Sequence, residues 1–419
     1  MSAAAPLARR QILAYGVLGL PLAFAALPLY VHVPKLYAEH LGLSLALIGA
    51  ILLGARIVDA LTDPLFGWLG DHVGGRTGWI LLALPVLGLG MLGLLSPPAS
   101  AGALWLLGLL VVACAGYSLA SVNYHAWGAE MARAPGERTR VMASREGFGL
   151  AGVVLAAALP ALLADGEAAG LARLAWGFLP LLGVAALVTL MGAPAAPRLR
   201  LPAVRPGRAL RAALARPAFV RLLLLFALGG VAASIPASTV LFYVDDVLAR
   251  PGASGPLLAV YFVAAAAGLP LWVRLADRLG KVHAWMVAMG LSIVAFGWAA
   301  TLGAGDVLAF GIICVASGLA LGADLALPPA ILADQLGNDS EAAGAGASFG
   351  WWNLVAKASL ALAAGIALPL LEWLGYTPGA RGGQALAALA GVYALLPVLL
   401  KTLALALTWR WRHRLGAER

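Results

Sequence analysis

The sequence predicts an all-α integral membrane protein: twelve transmembrane helices in two six-helix pseudo-symmetric bundles. Three observations predict it. Of 419 residues, 62% are hydrophobic and 11% charged, with a mean hydropathy of +0.92, against about 25% charged residues in soluble domains. Apolar runs of about 20 residues recur along the whole length, each long enough to cross a hydrocarbon core of about 30 Å as a helix. A joint rich in Pro and Arg, "APAAPRLRLPAVRPGRALRAALARP" at 193–217, divides those runs six and six. The runs are continuous rather than alternating, which excludes a membrane β-barrel, and no stretch is left for a soluble domain.

In order, the first bundle (1–192) carries spans at 11–37, 44–70, 78–97, 102–130, 141–164 and 171–192. The second (218–419) carries spans at 218–244, 255–276, 282–303, 307–333, 342–374 and 384–408, then a short tail. Two arginines precede span 1 and no small-residue cleavage site follows it, so the first span is expected to be retained. In span 10, Pro328 and Pro329 are expected to break or kink the helix. Cys114 and Cys314 are lone residues in apolar runs, read as packing residues without a disulfide framework.

Charge orients the chain. Of 28 Lys and Arg, only Lys35, Arg173, Arg250 and Arg381 fall in odd-numbered joints; Arg56, Arg145 and Lys357 lie within spans, and Lys401 near the end of the last. The remainder sit at the termini and even-numbered joints, so the positive-inside rule places both termini and the central joint in the cytoplasm of a cell with this protein in its inner membrane. Basic residues facing anionic headgroups account for a pI of about 9.9 without a nucleic-acid partner.

The two halves echo one another. After span 2 comes "GWLGDHVGGRTGW" and after span 8 "WVRLADRLGKVHAW": in each an Asp (Asp71, Asp277) ends the helix and a base (Arg76, Lys281) follows. These four are candidate cytoplasmic gate residues, able to pair or to cap helix ends. Two six-span halves with matching joints form a parallel repeat, and in spacing and charge the chain resembles the major facilitator superfamily, which implies the major facilitator fold and alternating access.

The densest intramembrane charge is in "GARIVDALTDPLFGWLGD". Asp59 and Asp63 are four apart and stack on one helix face, with Arg56 three residues earlier. Two carboxylates that close repel in a low dielectric, and one takes up a proton unless a cation sits between them. Intramembrane carboxylates point to a functional site, with a structural ion cluster as the competing reading. Lys357, a lone ammonium in span 11, balances the set with Arg56, and these two are the charge-coupling candidates. Thr62 and Ser118 add oxygen of the kind a hard cation takes.

"GLSLALIGAILLGARIVDALTDPLFGWLGD", "EMARAPGERTRVMASREGFG", "LPPAILADQLG" and "FGWWNLVAKASLALAAGIALPLLEWLGY" together are similar to the glycoside-pentoside-hexuronide:cation symporters, the melibiose permease-like family. That resemblance implies that Asp59, Asp63, Thr62 and Ser118 bind a coupling Na⁺, Li⁺ or H⁺. It transfers less well at the sugar site, where the family's acids on spans 1 and 4 fall at Ala23 and Ser121. Candidate solute residues are Tyr30, Tyr117, Ser121, His125, Trp127, Arg145, Asp324, Trp352 and Asn353. For Arg145 a pair with Glu146 competes, and for Asp324 a backbone donor freed by the prolines.

The expected function is cation-coupled symport of a small solute, a sugar or glycoside, with no cofactor beyond the coupling ion. The expected partners are the solute, the cation and the bilayer, with the chain acting as a monomer. Transport of a lysolipid, amphiphile or organic anion, and a non-transporting assembly factor on the same scaffold, stay open. No Ser/His/Asp set, metal-ligand spacing or phosphate loop points to an enzyme.

Overall fold

A computed structural model describes residues 6–73, 75–132, 134–163, 167–195, 205–250, 252–337, 344–377 and 379–415. Among these, every regular element is helical, as a lipid solvent demands: a backbone that cannot bond to water must bond within its own segment. Nine helices among the described residues are long and apolar enough to cross a membrane. The other three expected spans, 11–37, 44–70 and 141–164, are helical over their described residues as well.

Span 1 is segmented into α1 (Arg9–Val17), α2 (Gly19–Leu27), a π-helical turn at Pro28–His32, and α3 (Val33–Glu39). Spans 2–6 are α4 (Leu45–His72), α5 (Arg76–Leu95), α6 (Ala103–Met131), α7 (Pro135–Leu163) and α8 (Glu167–Gly192). Ser44 starts α4 by accepting from the Leu47 amide at 3.3 Å, which satisfies one of its orphan donors. The joint carries a short helix, α9 (Pro206–Leu214). Its residues 196–204 lie outside the described residues.

Spans 7–11 are α10 (Pro217–Phe242, continued by a π turn at Tyr243–Val247), α11 (Ser254–Leu279), α12 (Lys281–Ala299), α13 (Val307–Gly337) and α14 (Ala345–Trp373). Span 12 is α15 (Gly383–Ala390), a π turn at Gly391–Leu395, and α16 (Leu396–Leu415). The expected break in span 10 is absent: α13 runs through Pro328 and Pro329. Neighbouring helices tolerate such prolines at membrane depth by packing around the freed carbonyls.

The chain divides into two compact units, 1–215 with 339–354, and 216–338 with 355–419. The first turns of α14 therefore belong with the first unit. Equivalent helix pairs pack in both: α4 on α6 and α11 on α13, α5 on α6 and α12 on α13, α1 on α8 and α10 on α16. Small residues make the close approaches, as is usual where lipid competes for every apolar contact. A Cβ at Gly116 would lie 2.6 Å from the Leu87 amide nitrogen, and one at Gly322 2.6 Å from the Ala265 carbonyl. Each unit builds an aliphatic and aromatic core, with Tyr15, Phe24, Trp127 and Phe178 in the first and Tyr243, Phe310 and Tyr393 in the second.

Candidate ion and solute site

Asp59 and Asp63 sit one turn apart on the buried face of α4, 3% and 0% exposed, while Ile57, Val58 and Leu61 on the same helix are exposed. The carboxylates therefore face protein and the aliphatics face outward. Ser118, fully buried on α6, donates to Asp59 Oδ1. Thr62 turns back onto its own helix, donating to the Asp59 carbonyl at 2.9 Å, so its hydroxyl proton is spent on backbone. Arg56, one turn earlier, is half-buried.

The start of α14 lies flush against this turn: a Cβ at Gly350 would be 2.6 Å from the Asp63 carbonyl oxygen and 2.5 Å from Pro64 Cα. Any side chain there would force the helices apart. The close approach carries Asn353 to Ser121, its Nδ2 3.5 Å from Ser121 Oγ, at the outer limit of a hydrogen bond. His125 Nδ1 is 3.1 Å from the Ser121 carbonyl, and its ring stacks on Phe349 with centroids 5.3 Å apart. Ser118, Ser121 and His125, at i, i+3 and i+7, share one face of α6.

The remaining predicted solute residues divide. Tyr117 packs partly buried against the first core, and Trp352 is buried on α14. The side chain of Tyr30 lies outside the described residues. Trp127 is 1% exposed, donates to the Pro194 carbonyl at 2.9 Å and meets Tyr15 edge-on. An indole with its N–H satisfied inside a core fills volume, so the structure places Trp127 in packing rather than against a solute. Arg145 pairs with Glu146 and lies over the Tyr124 ring at 5.5 Å, the pairing that competed with its solute role. Lys357 is half-buried on the stretch of α14 that groups with the second unit.

At the gate residues the wiring differs from a simple repeat. Asp71 pairs with Arg76 and also accepts from the Gly346 and Ala347 amides, both at 2.8 Å. It thereby caps the positive end of α14. Arg76 also pairs with Glu130 at 2.6 Å and donates to Asn123 at 3.4 Å. In the second unit Lys281 pairs with Asp334 at 2.5 Å, while Asp277 is exposed at the end of α11. Glu130 and Asp334 are ion-pair partners of the gate candidates that the repeat alone did not pick out. Their positions, closing spans 4 and 10, were the available signal.

Asp324 on α13 is held by Lys401 of α16 and by Trp285 Nε1 of α12 at 2.8 Å; side chains, rather than a freed backbone donor, are its partners. Asp246 accepts from the Tyr376 hydroxyl and the Gly379 amide. Burial, reinforced by that carboxylate, holds the Tyr376 phenol well above its ordinary range, so it stays a donor. No group of three or more His, Cys, Asp or Glu able to hold a metal is found among the described residues.

The fold has close relatives in shape. A bacterial homologue of the iron transporter ferroportin, outward-facing, superposes with a TM-score of 0.71 at 17% identity, covering 96% of this chain and 99% of that one. The human organic anion transporter MFSD10 (TETRAN) gives 0.68 at 19% identity, covering 96% and 100%. The E. coli fucose:proton symporter FucP gives 0.71 at 13% identity, covering 97% and 99%. At these identities the likeness is one of fold. The family profile described as MFS/sugar transport protein matches residues 12–413, nearly the whole chain. The protein thus belongs to that family of the major facilitator superfamily, a multi-pass membrane transporter and not an enzyme.

Proposed function

We propose that the protein is a secondary active transporter that couples Na⁺ or H⁺ entry to symport of a small solute of the sugar or glycoside class. One observation carries the reading: Ser118 on Asp59 and Ser121 against Asn353 lie one turn apart on a single face of α6. A cation that draws on Asp59, Asp63 and the Ser118 hydroxyl changes the charge beside a polar cluster of hydroxyl, amide and imidazole. Two carboxylates one turn apart gain most from such a cation, because each raises the other's cost of ionisation. Oxygen ligands suit Na⁺ or Li⁺, and a proton on either carboxyl relieves the same repulsion.

Solute hydroxyls would bond Ser121, His125 and Asn353, and transport would follow alternating access in the inner membrane with both termini cytoplasmic. An organic anion or amphiphile is the second reading. It is favoured by Ala23, close to Gly149 where a Cβ would lie 3.5 Å from it, with no carboxylate there for sugar hydroxyls. The test is uptake into proteoliposomes from a panel of sugars, glycosides and organic anions, with Na⁺ and pH gradients imposed separately. Cation-driven accumulation lost in Asp59→Cys and Asp63→Cys supports the reading. Uptake indifferent to both gradients overturns the coupling, and no uptake of any panel member favours a non-transporting role.

A further inference from the structure

Asp324 and Lys401 take no part in the coupling proposed at Asp59 and Asp63. They come from α13 and α16 of the second unit, and Trp285 of α12 fixes the carboxylate from a third helix. A charge within a membrane helix is costly and is usually kept for a function. A buried pair gives little net stability over apolar residues of the same volume. Packing alone is therefore a weak reason for this pair.

The surroundings point to exchange. A cavity of about 20 Å³ adjoins the pair, lined by Tyr261, Ser292, Ser317, Asp324 and Lys401 among apolar residues. That is room for about one water, too little for a solute. The two members are unequal: the Lys401 side chain is 4% exposed and that of Asp324 20%, so the carboxylate is the member that a small ion reaches. Ser317 donates to the Ile313 carbonyl at 2.7 Å, which turns its lone pairs, not its proton, toward other donors. The titratable neighbours are Tyr261 of α11 and Cys314 of α13, with Tyr393 beyond them, while α10 contributes Ala232 and Ala233 to the cavity lining and the close approach of Gly229 to Lys401.

We propose that Asp324 is a proton-binding site of the second unit, with Lys401 as its built-in counter-cation and Trp285 as the donor that orients it. A hydronium reaching the cavity gives its proton to a carboxylate oxygen of Asp324 and stays as water. The acid becomes neutral, and Lys401 turns its ammonium to that water and the cavity hydroxyls. The pair passes from zero net charge to +1. The site is independent of whether Asp59 and Asp63 bind a cation.

The experiment is proton uptake by the full-length protein in weakly buffered detergent during acid titration, read with an indicator dye. The infrared carbonyl band of a protonated carboxylic acid is followed in parallel. Asp324→Asn is expected to take up about one proton fewer and to lose one component of the band. Lys401→Met, which removes the counter-cation, is expected to change the pH at which that band component appears while leaving the component itself in place. The double variant, which removes both charges and so leaves no buried ion unpaired, supplies the folded baseline if Asp324→Asn alone does not fold. Equal uptake by the wild type, Asp324→Asn and the double variant, with no shift in Lys401→Met, overturns the proposal and leaves a static ion pair.

Discussion

The joint after α4 and the joint after α11 share a sequence pattern but not a wiring scheme. In both, the base that opens the next helix pairs with the acid that closes the helix after it: Arg76 with Glu130, Lys281 with Asp334. The difference lies in the remaining acid. Asp71 is buried, shares Arg76 and caps α14, whereas Asp277 stands exposed. One ion pair is thus common to the two units, and in the first the buried acid beside the base also fastens the start of α14. Repetition of sequence preserved the base and its distant acid; the adjacent acid diverged in use.

The sharpest way to break this comparison is Arg76→Ala. It strands two buried carboxylates, and removing one partner of a buried pair costs about 3–5 kcal/mol, so the purified protein should lose the largest share of its thermal stability. Lys281→Ala removes the base from Asp334, in a pair whose side chains are 10% and 11% exposed, and should cost about 1–3 kcal/mol. Equal losses would mean that Asp71 adds nothing to the first joint. Gly346→Ala places a Cβ against the Gly67 carbonyl and 2.5 Å from Arg76 Nη1. Overpacking of that kind costs about 1–3 kcal/mol, and the same scan should show it. Asp277→Asn, at an exposed position, should stay within about 0.5 kcal/mol of the wild type; a larger loss would restore symmetry between the joints.

Much of the architecture was legible because lipid imposes one rule on every span: an apolar run of the right length must be helical. Asp59 and Asp63 stood out as buried for a related reason, since a charge in such a run is costly unless it faces protein. What the sequence hid was pairing at a distance. Lys401 read as a residue near the end of the last span, and nothing in its neighbours names Asp324, 77 positions away. Trp127 read as a candidate solute residue because an indole's role depends on what surrounds it, and Pro194 and Tyr15 lie far off in the chain. Pro328 and Pro329 do not end the helix, for the opposite reason: propensity is local, and the packing of α13 carries the helix through them.

The central claim, a coupling cation at Asp59 and Asp63, is tested most directly by calorimetric titration of the purified protein with Na⁺ and with Li⁺ at several pH values. Asp59→Cys and Asp63→Cys are titrated alongside. The account predicts saturable cation binding, or at least a pH-dependent proton release on titration, that both substitutions abolish. Binding that survives both substitutions, or a wild type that exchanges neither Na⁺, Li⁺ nor a proton, would contradict it.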